Sequence, residues 1–149
     1  MKYQIKKLNI NNFSVYEENK LAARSYFIPY SKKGKLLEQT ALTERYNSDL
    51  VTVLSGTWKF RYYEKISRLP VNIDTDVMSF DEVSVPSTWQ RTGYHSPCYL
   101  NTRYEFPMTL PNVPDEMAVG VYSTTFSIKD EKSHPIITFL GVCSSLTLY

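Results

Sequence analysis

The chain has 149 residues, of which 42% are hydrophobic, 14% aromatic and 21% charged, with a formal net charge of +2. Apolar content of this order with so little net charge excludes a disordered chain, and the length suits one domain that buries about 70% of its unfolded surface. No run approaches the roughly 18 apolar residues of a membrane span, and the opening MKYQIKKLNINNF lacks the apolar core of a signal peptide, so a cytoplasmic protein with no membrane partner is expected.

Charge is unevenly placed along the chain. Residues 1–35 hold eight Lys and Arg against Glu17 and Glu18, whereas 36–149 hold nine against thirteen acidic residues. The cations are scattered, with neither a helical stripe nor clustered Arg among aromatics, which argues against a nucleic-acid partner. This first stretch reads as an extended basic arm, solvated or bridging subunits, with at most a short helix near 17–23. Within it, SKKGK at 31–35 lacks the first Gly and the Ser/Thr of a phosphate-binding loop and reads as a solvated turn. Asn12-Phe13-Ser14 fits a glycosylation sequon, but without a secretory route it reads as a chance match. From 36 to 45, Leu36, Leu37, Thr40, Ala41 and Glu44 could form a short helix, which Asn47-Ser48-Asp49 breaks. The arm is therefore drawn as 1–44 and the body as 45–149.

The body is patterned for strands. Residues 57–64 alternate Trp58, Phe60 and Tyr62 with Lys59, Arg61 and Tyr63, a half-buried strand. Val83 and Val85 form a brief strand that Pro86 ends. A longer strand is expected over 119–128, with Tyr122, Phe126 and Ile128 on one face. Residues 135–142 are apolar on both faces, as an interior strand would be, and 145–149 alternates again through Leu146 and Leu148. Helical periodicity is missing throughout, so an antiparallel β-sandwich is expected.

Between 87 and 114, Pro97, Pro107, Pro111 and Pro114 interleave with Trp89, Tyr94, Tyr99, Tyr104 and Phe106. That proline density forbids a central strand, and the rings would pin a long loop onto the sheets. Cys98 and Cys143 match no metal spacing and read as small buried side chains rather than a disulfide. His95 and His134 have no Cys or His close by in sequence, so no metal site and no nucleophilic triad is expected. The acidic pairs Asp81-Glu82, Asp115-Glu116 and Asp130-Glu131 read as solvated turn charges, because adjacent strand residues point to opposite faces and cannot converge.

The same loop carries a family resemblance. Val85-Pro86-Ser87-Thr88-Trp89-Gln90, then Gly93-Tyr94, Pro97, Tyr99, Asn101, Tyr104 and Phe106-Pro107 resemble the N-terminal region of family 2 glycoside hydrolases, on the β-galactosidase side. Asn19-Lys20-Leu21-Ala22-Ala23-Arg24, Leu54-Ser55-Gly56-Thr57-Trp58-Lys59-Phe60, Pro111-Asn112-Val113-Pro114, and Phe139 with Gly141-Val142 and Ser144 are similar to further family segments in the same order. Four positions depart from the pattern: Met117-Ala118 in place of Asn-Pro, Leu140 for an acidic residue, and Cys143 for Asp or Asn.

The resemblance implies an all-β fold of jelly-roll, galactose-binding-domain-like type, incomplete at its C-terminus and preceded by the arm. It implies a β-galactosidase whose catalytic glutamates and barrel lie outside these residues, so the chain is expected to be inactive alone, with no catalytic residue of its own. Magnesium and sodium are expected for the complete enzyme and no cofactor or metal for this segment. Asn101 stands where the family places a contact to the galactosyl unit; its amide offers two donors and an acceptor to vicinal hydroxyls. The alternative role for Asn101 is a bond that stabilises its own turn. Trp89, Tyr94 and Tyr104 could stack on sugar, with Trp89 expected in the core. The implied partners are a β-galactoside and the remaining domains or subunits of the enzyme. A stand-alone galactoside-binding jelly roll is the alternative.

Overall fold

The computed structural model describes residues 1–5, 12, 14–31, 46–99, 101, 107, 111, 112, 114, 116–128, 134–143 and 145–149. They belong to two compact units, one of Met1–Leu8 with Thr57–Tyr149 and one of Asn9–Gly56. Among the described residues the regular structure is all-β, in small sheets with antiparallel pairing, accompanied by two single-turn 3-10 segments and no α-helix.

Among the described residues the larger unit is built from five strands: β1 Lys2–Gln4, β2 Gly56–Tyr63, β3 Asn72–Asp74, β4 Asp81–Val85 and β5 Val119–Ser123. β2 is the centre of a three-stranded sheet ordered β4-β2-β5. Its pairing with β5 is antiparallel and sets Phe60 opposite Tyr122 and Tyr62 opposite Gly120. The alternation in 57–63 produces this strand as expected: Phe60 is fully buried, Trp58 and Tyr62 are half-buried, and Lys59 and Arg61 are exposed. Val83 is likewise buried at the middle of β4.

β1 and β3 form a separate two-stranded ladder, with Tyr3 opposite Ile73. β1 lies inside the stretch read as an arm. Its period of two is visible in Lys2-Tyr3-Gln4-Ile5, but three residues become a strand only against a partner. The Met1 ammonium pairs with Asp76 and lies 3.7 Å from Asp74, and the Ile5 amide donates to the Val71 carbonyl at 2.7 Å. Within this ladder Ile73 is buried.

Several expected elements are not formed. No helix occupies 17–23, where Asn19 adopts a left-handed φ of 55°. The Lys20–Glu17 pair at 2.8 Å is the kind of contact a helix would use, but one exposed pair does not offset the cost of nucleating an isolated turn. The helix suggested for 36–45 lies outside the described residues. β5 ends at Ser123 rather than 128, leaving Phe126 and Ile128 outside the strand and about half exposed. The described residues of 134–149 form no strand, against the expectation of two. Ile136 is 57% exposed, Leu140 65% and Leu148 59%. An apolar stretch becomes a strand when a neighbour supplies a ladder and a face to bury against, and the described residues supply neither to this segment.

In the smaller unit, the breaker at 47–49 is a built turn. The buried Ser48 donates its hydroxyl to the Pro29 carbonyl and accepts the Leu50 amide at 3.1 Å, while Asp49 receives both the amide and the hydroxyl of Ser31. Arg24 sits over the Phe27 ring at 4.6 Å, a cation–π contact.

Candidate functional site

The site is assembled on one face of the β2–β5 pair. Phe60, Tyr62 and Tyr122 share that face, and the Pro86-led loop folds two more rings onto it. A 3-10 turn at Trp89–Thr92 closes with Gly93 in the left-handed region at φ 92°, and the Tyr94 amide donates back to the Trp89 carbonyl at 3.0 Å. His95 follows at φ 60°, a conformation in which His is enriched among non-glycine residues. These two left-handed residues reverse the chain and lay Tyr94 on the sheet. Its ring meets Phe60 edge-on at 4.9 Å and Tyr62 at 5.7 Å, while Tyr122 packs on Phe60 at 4.6 Å. Trp89 meets Tyr62 edge-to-face at 5.6 Å. Trp89 is half-buried, so it borders this core rather than filling it.

Two tethers hold the loop. The Tyr94 hydroxyl donates to Asp81 at 2.6 Å, and the Tyr62 hydroxyl lies 3.1 Å from His95 Nδ1. Asp81 thus stands in β4 rather than in a turn, still exposed but accepting a hydrogen bond that anchors the loop. Glu116 is also engaged, 3.0 Å from Lys65 and 3.4 Å from the Ser67 hydroxyl. The hydrogen bond to Asp81, followed by burial, raises the Tyr94 pKa above its ordinary value, and burial alone raises that of Tyr122. Both folded phenols keep their protons at pH values where the unfolded ones have lost them. Their contribution to stability is therefore complete below about pH 10 and declines as pH rises above it. Melting temperatures between pH 8 and pH 11 are expected to fall for the wild-type chain, and to fall less steeply for Tyr94→Phe.

Where β2 leaves the ladder, an open groove of about 690 Å³ runs between the strand end and the reversed loop, lined by Arg61, Tyr62, Tyr63, Glu64, Arg68, His95 and Ser96. Glu64 is the one carboxylate lining it, so it offers no acid–base pair. Sequence patterning did not single out this groove, because its residues come from two segments about thirty positions apart and match no motif. The alternation that put Arg61 opposite Phe60 was the only signal available.

Asn101 lies in a turn and is exposed; Tyr104 is outside the described residues. Tyr94, considered for sugar stacking, has its ring engaged by Phe60 and Tyr62. Cys98 is half-buried and Cys143 is exposed, in contrast to the buried position expected for both, and they form no disulfide. Among the described residues no three His, Cys, Asp or Glu side chains converge.

Comparison with known proteins identifies the family. Residues 51–149 match the sugar-binding domain of glycosyl hydrolases family 2. The chain is 33% identical to a β-galactosidase of Actinobacillus pleuropneumoniae over 88% of its own length and 12% of that protein. It is 30% identical to one of Psychromonas ingrahamii over 97% of its length and 14% of that protein, and 31% identical to one of Staphylococcus xylosus over 93% and 14%. The chain thus spans about one-eighth of the length of the curated relatives it matches. No solved structure matches it significantly. With a match covering most of the chain and beginning just before β2, the chain belongs to glycosyl hydrolase family 2, through that family's sugar-binding domain.

Proposed function

We propose that the chain serves as the N-terminal sugar-binding part of a cytoplasmic β-galactosidase, without catalytic residues of its own. The observation that carries this reading is the family match over 51–149, together with β-galactosidase relatives aligned over almost the whole of this chain. In this reading the three-stranded sheet is part of a jelly roll that further strands complete. The barrel, its two glutamates and the magnesium and sodium ions belong to the remainder of the enzyme. The role of this part is to dock on that remainder and to present Asn101 to the galactosyl unit. The exposure of Asn101 on a proline-flanked turn suits such a role, since a fixed amide can pair with vicinal hydroxyls at low entropic cost.

The test mixes this chain with a β-galactosidase lacking the segment that it matches and follows hydrolysis of a chromogenic β-galactoside. A clear gain over the shortened enzyme alone is expected. In the reconstituted enzyme Asn101→Ala is expected to lower kcat/KM by about tenfold to a hundredfold, the cost of one or two hydrogen bonds to substrate. No gain on mixing counts against the assembly role. Galactose or lactose binding by the isolated chain at millimolar concentration or tighter, measured by calorimetry, would instead support a stand-alone binding module.

A further inference from the structure

Consecutive residues of the loop are held by two different strands. Tyr94 donates its hydroxyl to Asp81 of β4 at 2.6 Å, and the next residue, His95, meets the Tyr62 hydroxyl of β2 at 3.1 Å through Nδ1. β4 and β2 are neighbours in the sheet. One tether fixes where a chain is; two tethers on successive residues, to adjacent strands, also fix the direction in which it leaves. The backbone adds to this, because Gly93 at φ 92° and His95 at φ 60° turn the chain on both sides of the Tyr94 anchor.

The residues after the clamp keep that direction. Pro97 has its own φ locked and holds Ser96 to extended backbone. Cys98 is half-buried between the exposed Pro97 and Tyr99, so the chain still lies against the unit there. Asn101 comes six positions after His95, exposed and in a turn. Of the two tethers, the one to Asp81 is charge-assisted, the stronger kind, and it is the chief cause of the raised Tyr94 pKa. Its acceptor stands on a strand that the buried Val83 fixes to the core, which makes it a firm point to aim from.

We propose that Asp81 is a positioning residue for Asn101: by holding the Tyr94 hydroxyl it sets the course of the loop and with it the place of the Asn101 amide. The value of that placement to hydrolysis rests on the reading of Asn101 as a galactoside contact, whereas the placement itself does not.

Two measurements separate the placement from its use. In the 149-residue chain, Tyr94→Phe removes the hydroxyl and keeps a ring on Phe60 and Tyr62. It is expected to shift the side-chain amide resonances of Asn101 and to raise amide exchange at Tyr94 and Cys98 several-fold, with the resonances of Lys59 and Val121 in the β2–β5 ladder unmoved. Asp81→Ala is expected to give the same shifts, and Asp81→Asn, which keeps an acceptor oxygen, to restore much of the wild-type spectrum. Asn101 resonances unmoved in both Tyr94→Phe and Asp81→Ala would overturn the proposal. In the enzyme reconstituted from this chain and the shortened β-galactosidase, Asp81→Ala is expected to lower kcat/KM by about threefold to tenfold. In the Asn101→Ala background the same change is expected to cost less than about twofold, since a residue that acts through Asn101 has nothing left to place. Equal losses in both backgrounds would show that Asp81 supports only the fold, and would also overturn the proposal. No hydrolysis on mixing, or no loss in Asn101→Ala itself, would instead overturn the galactosidase reading, and the spectra of the chain would still decide the placement.

Discussion

Phe60→Ala is expected to destabilise the larger unit by about 3–5 kcal/mol, the range for removing a fully buried aromatic ring. Among the described residues, Phe60 alone has a large side chain that is completely buried; Ile73 and Val83 complete the buried apolar set. Phe60 touches the loop through Tyr94 and the neighbouring strand through Tyr122, so its loss opens a cavity bordered by both. Domains of this size hold about 5–15 kcal/mol in total, so one truncation removes a large share. Urea denaturation followed by tyrosine and tryptophan fluorescence reads the effect. A midpoint change equivalent to less than about 1 kcal/mol would show that the ring cluster is not the core.

The second large effect comes from adding a single methyl group. A Cβ on Gly120 would lie 2.7 Å from Phe60 Cε2 and 2.9 Å from Trp89 Cζ3, both far inside van der Waals contact. Neither ring can withdraw cheaply. Phe60 is wedged between Tyr94 and Tyr122, and Trp89 is held in the 3-10 turn whose carbonyl accepts the Tyr94 amide. Gly120→Ala is therefore expected to cost about 1–3 kcal/mol through overpacking and to loosen the loop along with the sheet. Unfolding midpoints measure the first effect. The amide exchange rate of Tyr94 measures the second, and unchanged exchange would show that the loop does not depend on this contact.

These two residues also mark what could be read without coordinates. Phe60 stands out because its partners along the strand are local: Trp58 and Tyr62 repeat at two, with charged or polar neighbours between them. Val83 is legible for the same reason. Gly120 gives no such signal, since its value lies in what stands across from it, a tryptophan about thirty positions away. The stretch 134–149 is the converse case. Its apolar content reads as strand, but strand formation is a property of a pair, and the described residues contain no second member. The candidate site divides similarly. The Pro- and aromatic-rich loop was recognisable from composition and Asn101 from motif resemblance, whereas the Arg61–His95 groove arises only when the loop turns back over β2. A local reading of Asp81-Glu82 gives the exposure of Asp81 but not its place in a strand or the hydroxyl that arrives from Tyr94.

The β1–β3 ladder has a consequence for the order in which the chain folds. Tyr3 and Ile73 are aligned across about 70 residues of intervening chain. Closing a loop of that length costs conformational entropy that a three-residue ladder repays poorly, whereas β3 and β4 lie close together in sequence. β1 is thus a late arrival that fastens onto a unit already organised around β2, and it is the first part to let go under stress. Because both edges of the intervening segment return to the same unit, the smaller unit behaves topologically as an insertion. Changes in its length would be felt chiefly as a change in how fast that last clasp closes.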